Sequence, residues 1–69
     1  MNLPIGKNIR FLRSKAGLTQ RVLAYELGVT VQAVSKWERG VSYPDLTLLP
    51  TIARLFSVPI DRLFEEVSK

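Results

Sequence analysis

Apolar residues recur along this sequence at spacings of three and four, and glycine and proline interrupt them at intervals. This spacing marks one face of an α-helix. The first such stripe begins after Pro4, which suits a first helical turn, and ends before Gly17, which suits a left-handed helix end. Its apolar positions are Ile5, Ile9, Leu12 and Ala16. The pattern predicts a first helix between Pro4 and Gly17.

Two short helices joined at Gly28 are predicted between Thr19 and Gly40. Thr19 and Thr30 stand where a hydroxyl can cap a helix N-terminus. Gly28 supplies the positive φ that a sharp reversal between helices needs. The residues that can then face a common interior are Leu23, Ala24, Leu27, Val34 and Trp37. The second of these helices has few apolar residues, so much of its surface is free to contact a partner.

Prolines determine where the last two predicted helices can begin. Pro50 would cost roughly 3 kcal/mol inside a helix but is harmless in a first turn. We therefore expect Thr47 to cap the fourth helix, after a turn at Asp45 and Leu46. Pro59 is expected to open a fifth helix. The inward residues of the two helices are Leu49, Ile52, Ala53 and Phe56, then Ile60, Leu63, Phe64 and Val67. The expected fold is all-α, a compact five-helix bundle forming one domain over residues 1–69.

The composition excludes several kinds of site. The 69 residues include no Cys and no His, so disulfides, thiolate or imidazole metal sites and His-based catalysis are excluded. No apolar run is long enough to span a membrane. The start of the chain lacks the charged region and apolar run of a signal peptide. We expect a cytoplasmic protein without a metal, a cofactor or a membrane contact.

Basic residues are concentrated in the part of the chain that carries the two short helices. Residues 1–42 contain seven basic and two acidic side chains, whereas residues 43–69 contain three basic and four acidic ones. A positive field on one part of a small domain is typical of binding to a polyanion such as nucleic acid.

Several motifs carry a resemblance to a known family. They are Gly17-Leu18-Thr19-Gln20, Leu23-Ala24, Leu27-Gly28-Val29, Ser35-Lys36-Trp37-Glu38-Arg39-Gly40, Tyr43-Pro44-Asp45 and the segment 58–64. With these motifs the chain resembles, over nearly its whole length, the Cro and phage-repressor type of helix-turn-helix domain, the XRE family of bacterial regulators. The resemblance implies a bundle whose second and third helices form the helix-turn-helix and bind double-stranded DNA. It also implies a symmetric homodimer on a near-palindromic operator, regulating transcription.

The third helix supplies the candidate base contacts, because in this motif its N-terminal residues touch base edges in the major groove. Gln32 can pair with adenine N6 and N7, and Lys36 can donate to guanine O6 and N7. Val31 and Ala33 offer apolar contact, which suits a thymine methyl group. Ser35 could contact a base or a phosphate, or simply fill a crowded position. An ordinary solvated helix face is the alternative for Gln32 and Lys36.

Phosphate contacts are expected beside this helix. Gln20 lies in the first turn of the second helix, where free N–H groups favour an anion, and the resemblance makes it a phosphate clamp. Arg39, Ser42 and Tyr43 are further phosphate candidates.

Arg13 and Glu38 have a different expected role. The resemblance implies an ion pair between them that joins the first helix to the third, so we interpret both as structural. Trp37 is interpreted as a core residue.

An enzyme and a protein-interaction module are the two other classes of function to compare with the sequence. The clustered carboxylates, Asp45, Asp61, Glu65 and Glu66, fall at helix starts or a solvated terminus, where capping and dipole effects explain them. We therefore predict that the protein is not an enzyme. The alternative is a protein-interaction module, such as the antitoxin of a toxin-antitoxin pair. A larger exposed apolar patch would favour that alternative, and the candidate residues for such a patch are Phe11, Phe64 and Val67.

Overall fold

The computed structural model describes residues 3–66, so Val67, assigned above to the last helix, lies outside the described residues. The described chain contains four α-helices, two short 3₁₀ helices and no β-strand. The α-helices are α1 (Ile5–Lys15), α2 (Gln20–Leu27), α3 (Val31–Glu38) and α4 (Leu49–Leu55), and the 3₁₀ helices span Leu46–Leu48 and Ile60–Phe64. The all-α prediction is confirmed for this range, but the structure has four α-helices rather than five.

Local hydrogen bonds set the ends of α2 and α3. The Thr19 hydroxyl oxygen accepts from the Val22 N–H at 3.1 Å, and the Thr30 hydroxyl oxygen accepts from the Ala33 N–H at 3.1 Å. Gly28 has φ +70° and ends α2 in the left-handed conformation. The two predicted caps and the turn between the helices are confirmed.

The fourth helix begins later than the sequence predicted. Thr47 does not cap it, because the Asp45 carboxylate accepts from both the N–H and the hydroxyl of Thr47, at 3.0 and 2.9 Å. Asp45 thereby caps the 3₁₀ helix Leu46–Leu48, and α4 starts only at Leu49. Pro50 lies in the first turn of α4, as predicted.

Asp45 makes the stability of this turn depend on pH. The hydrogen bond from the Thr47 N–H, and then that from its hydroxyl, lower the pKa of Asp45. A lowered folded-state pKa gives stability that is present above the unfolded-state pKa and is lost as pH falls through the folded-state pKa. We expect Asp45→Asn to lower the melting temperature at pH ~7, and the difference from wild type to shrink below pH ~4. Thermal melts across this range test it, and an equal difference at both pH values would contradict it.

The predicted fifth helix is a 3₁₀ helix within the described residues. Glu65 has an extended backbone, with ψ 145°, and ends the element after Phe64. Its carbonyl accepts from the Nδ2 of Asn8 at 2.7 Å, and the Leu63 carbonyl accepts from the same nitrogen at 2.8 Å. Arg62 donates to the Oδ1 of Asn8 at 2.9 Å. The fully buried Asn8 thus holds this segment in a conformation that departs from an α-helix.

The core draws on every α-helix. Its buried residues are Ile5, Ile9, Leu12, Leu23, Ala24, Leu27, Val34, Trp37, Leu49, Ile52, Ala53 and Leu63. Four residues predicted to face inward do not belong to this set. Ala16 is exposed because α1 ends before it, Phe56 is half-buried beyond the end of α4, and Ile60 and Phe64 are exposed on the 3₁₀ helix.

Gly6 brings the backbones of α1 and α3 into direct contact. A Cβ atom at this position would lie 1.8 Å from the carbonyl oxygen of Trp37 and 2.8 Å from its carbonyl carbon. No side chain therefore fits between the two helices here. The position of α3 is set by this close approach to α1.

Candidate nucleic-acid interface

The exposed face of α3 carries two of the predicted base-contacting side chains. Gln32 and Lys36 are exposed, and residues four apart are neighbours on a helix surface. Val34 and Trp37, at 0% and 4% exposed, face the core. The buried pair therefore holds α3 so that Gln32 and Lys36 project together into solvent.

The other three predicted base contacts are half-buried. Val31 and Ala33 pack against the hydrophobic core. Ser35 accepts a hydrogen bond from the Nε of Arg39 at 3.1 Å. These side chains present less surface to a partner than Gln32 and Lys36 do.

Gln20, the predicted phosphate clamp, is the first residue of α2 and is half-buried. Its Nε2 donates to Oε1 of Glu38, the last residue of α3, at 3.0 Å. An amide nitrogen carries two hydrogens, so a second N–H of Gln20 is available for a ligand. In the first turn of α2 the Val22 N–H donates to Thr19, and the backbone N–H groups of Gln20 and Arg21 have no partner within the helix. The start of α2 can therefore donate several hydrogen bonds to an anion beside α3.

The remaining phosphate candidates directly follow α3. Arg39 and Tyr43 are exposed and Ser42 is half-buried. The Tyr43 hydroxyl accepts from the backbone N–H of Leu3 at 3.0 Å. This bond ties the loop after α3 to the residues that precede α1.

Arg13 and Glu38 form a largely buried ion pair. Arg13 Nε lies 2.7 Å from Glu38 Oε2, and Nη2 donates to Oε1 at 3.1 Å. The remaining arm of the guanidinium donates to the Leu18 carbonyl at 2.8 Å. The side chains of Arg13 and Glu38 are 15% and 4% exposed. The pair joins α1 to the end of α3.

The hydrogen bond to Glu38, together with the charge of that carboxylate, raises the pKa of Arg13 against the opposing effect of burial. A raised pKa means that the stabilisation is fully present below the unfolded-state pKa and is lost only as pH rises through the folded-state value. Because an arginine titrates only above about pH 12, the guanidinium stays charged throughout the neutral range.

The Arg13–Glu38 ion pair and the predicted phosphate clamp Gln20 are in contact in the structure, although the sequence predicted separate roles for them. Glu38 Oε1 accepts from both Arg13 and Gln20, so the ion pair and the predicted phosphate clamp share one carboxylate. Gln20 and Glu38 are far apart in sequence and lie on different helices, so no local spacing signals this contact. The only sequence signal is indirect, namely the resemblance that assigned a role to each residue.

Other kinds of site are not found in the part of the chain that the structure describes. Between residues 3 and 66, no helix combines the length and apolar character needed to cross a bilayer. The same residues hold no cluster of three or more side chains of the metal-binding types His, Cys, Asp and Glu.

Comparisons with known proteins agree with this geometry. The profile of a helix-turn-helix family matches residues 9–63. The HTH-type transcriptional activator BcrR of Enterococcus faecalis is 41% identical over 61 residues, which are 88% of this chain and 30% of that protein. The HTH-type transcriptional regulator ImmR of Bacillus subtilis is 35% identical over 69 residues, covering 97% of this chain and 54% of its own length. The chain thus spans roughly a third to a half of these relatives.

A solved structure gives the same result for the fold. The restriction-modification controller protein C.AhdI from Aeromonas hydrophila superposes with a TM-score of 0.79 and 29% identity, over 90% of this chain and 94% of that one. The family match spans α2, the turn at Gly28 and α3. The chain belongs to the XRE-type helix-turn-helix family of transcriptional regulators.

Proposed function

We propose that this chain binds double-stranded DNA in a sequence-specific manner, as the DNA-binding part of a transcriptional regulator, with α3 in the major groove. One observation carries the proposal. The core holds α3 through Val34 and Trp37 while Gln32 and Lys36 project side by side from its free face. A helix presented in this way fits the width of the major groove.

Base reading is assigned first to Gln32 and Lys36. The amide of Gln32 matches the donor and acceptor of adenine N6 and N7, and the ammonium of Lys36 matches the two acceptors of guanine. Val31 and Ala33 can add apolar contact at their exposed edges, and Ser35 can hydrogen-bond from the same helix. Because these three are half-buried, we expect them to contribute less to sequence preference.

Phosphate binding positions the helix. Gln20 can donate its second amide hydrogen to a phosphate while Glu38 holds the first. The first turn of α2 adds backbone N–H groups and the positive end of its dipole. Arg39, Ser42 and Tyr43 would bind the backbone beyond the other end of α3. Such contacts set the register of the domain on the duplex without reading sequence.

The active form is proposed to be a homodimer on a near-palindromic operator. Two copies of α3 would then lie about 34 Å apart, one turn of DNA. Phe64 is 42% exposed and available for a contact between copies. Val67, the other candidate for that contact, lies outside the described residues.

Substitution of the reading side chains should relax sequence preference. We expect Gln32→Ala and Lys36→Gln each to weaken binding to the preferred duplex by about 1–3 kcal/mol, while binding to unrelated duplex changes less. Fluorescence anisotropy with both duplexes measures the difference. Arg54→Gln is the control, because it removes one charge from the exposed side of α4. An equal loss for Lys36→Gln and Arg54→Gln would contradict base reading by Lys36.

Substitution of a phosphate contact should act on all sequences alike. Arg39→Gln is expected to weaken binding to preferred and unrelated duplexes equally, and to reduce the slope of log affinity against log salt by about 1. Titrations at several salt concentrations measure this slope. An unchanged slope would remove Arg39 from the phosphate contacts.

The proposal as a whole is tested by selection from a pool of random duplexes at two salt concentrations, followed by sequencing. Enrichment of a palindrome, with affinity that falls steeply as salt rises, is the expected result. Weak binding without an enriched sequence would favour the protein-interaction alternative.

That alternative has one observation in its favour. Large apolar side chains are more exposed than the sequence suggested, with Tyr25 at 82% and Leu46 at 77%. Phe11 and Phe64, the residues expected from the sequence, are 44% and 42% exposed.

The relatives described above are named as transcriptional regulators, in agreement with a role other than catalysis.

A further inference from the structure

A groove of about 410 Å³ lies between α1, the end of α4, the loop that follows it and the 3₁₀ helix Ile60–Phe64. The side chains that matter for its chemistry are Phe11, Lys15, Leu55, Phe56, Val58 and Arg62. No lining residue belongs to α2 or α3. The groove is therefore separate from the proposed DNA-reading face.

Most of the residues that line the groove are apolar. Phe11 and Leu55 are 44% and 36% exposed, and both line it. Phe56 and Val58 are half-buried and pack against the core beneath. Exposed apolar surface arranged as a concavity is typical of a site that binds another apolar group.

Two cations flank the Phe11 ring in this groove. Lys15 Nζ lies 5.7 Å and the Arg62 guanidinium carbon 5.5 Å from the centroid of the Phe11 ring. Arg62 also donates to Asn8 and lies 3.7 Å from Glu65, whereas Lys15 forms no salt bridge with any residue between 3 and 66. Among residues 3–66, no acidic side chain lines the groove. A partner thus meets apolar surface and positive charge together.

We propose that this groove binds a peptide segment of another protein that combines acidic with apolar side chains. Charge complementarity selects this occupant. The DNA backbone supplies negative charge but no apolar side chain for Phe11 and Leu55. A second copy related by a two-fold axis through the groove would place its Lys15 and Arg62 opposite those of the first copy, which like-charge repulsion opposes. An acidic and apolar peptide satisfies both features.

The test is selection from a displayed library of random peptides of roughly 12 residues, about three helical turns, against the full 69-residue chain. A Phe11→Ala and Lys15→Gln double variant serves to deplete peptides that bind elsewhere. We expect enriched peptides to combine Asp or Glu with Leu, Ile, Phe or Trp. Amide NMR shifts should then cluster on the groove residues.

Single variants test the charged contact and the apolar contact separately. For an enriched peptide, Lys15→Gln should weaken binding about fivefold and Phe11→Ala about tenfold or more. Arg10→Gln, which removes an exposed charge of α1 outside the groove, should leave affinity unchanged. Enrichment without acidic residues, equal binding to the double variant, or shifts centred on α3 would overturn the proposal. Groove shifts that depend on protein concentration without peptide would assign the groove to a second copy and also overturn it.

Discussion

Gly6→Ala is expected to lower the free energy of unfolding by about 3 kcal/mol. The added methyl group would meet the backbone oxygen of Trp37 at 1.8 Å and Glu38 Cα at 3.3 Å. A backbone atom cannot move away by rotamer change, so α1 and α3 must separate and the core between them must loosen. Helix propensity acts in the opposite direction, because alanine gains about 1 kcal/mol over glycine inside a helix. The clash exceeds this gain.

Thermal and denaturant unfolding measure the effect, and a loss of that size corresponds to a fall in melting temperature of more than about 10 °C. Gly17→Ala is the matched control. It adds the same methyl group where nothing lies within 4 Å, at a residue with φ +75°, so only the left-handed conformation costs about 1–2 kcal/mol. A Gly6→Ala protein as stable as wild type would show that α1 and α3 are not in contact at this point.

Removing Arg13 should lower the free energy of unfolding by a similar amount. We expect Arg13→Met to reduce stability by about 3 kcal/mol, because the Glu38 carboxylate would stay buried without a compensating charge. The Glu38 side chain is 4% exposed and would retain only its hydrogen bond from Gln20. Equilibrium unfolding at neutral pH is the measurement, since Arg13 is fully charged there.

A double-mutant cycle distinguishes the ion pair from simple loss of volume. The combined Arg13→Met and Glu38→Met protein should be less destabilised than the sum of the single variants, because apolar residues can replace a buried pair at little net cost. Arg10→Met, an exposed change on the same helix, should have little effect. An unchanged melting temperature for Arg13→Met with loss of DNA binding would instead assign Arg13 to a phosphate contact.

The features that the sequence predicted best depend on neighbouring residues. A threonine before a helix caps it whatever the rest of the chain does, and a glycine at a reversal adopts positive φ for reasons of local sterics. Thr19, Thr30 and Gly28 therefore lie as predicted. The predicted start of α4 was wrong because Asp45 and Thr47 can both act as caps there. The Asp45 carboxylate accepts from both hydrogen-bond donors of Thr47.

The features that escaped prediction depend on contacts distant in sequence. In the sequence, Gly6 indicates only a weaker helix. Its role is seen in the structure, where α3 lies against it. Asn8 lies on the apolar stripe of α1, three residues after Ile5, and a polar residue on a buried face must find partners. The sequence could not name those partners, which are the carbonyls of Leu63 and Glu65. These bonds are also why the fifth element is not an α-helix.

For the candidate interface, the periodicity of α3 predicted that Val34 and Trp37 face the core while Gln32 and Lys36 stay exposed, as the structure has them. It did not predict how far Val31 and Ala33 would be covered by the core, because that depends on neighbouring elements. The base and phosphate contacts themselves stay predictions.

The most direct test of DNA reading by α3 is parallel selection of random duplexes with the wild-type chain and with Gln32→Ala. We expect the wild type to enrich a near-palindromic sequence with adenine at one symmetric pair of positions. The variant should lose the preference at those positions alone and keep the rest of the sequence. The same enriched sequence from both proteins, or no enrichment from either, would contradict base reading by Gln32 on α3.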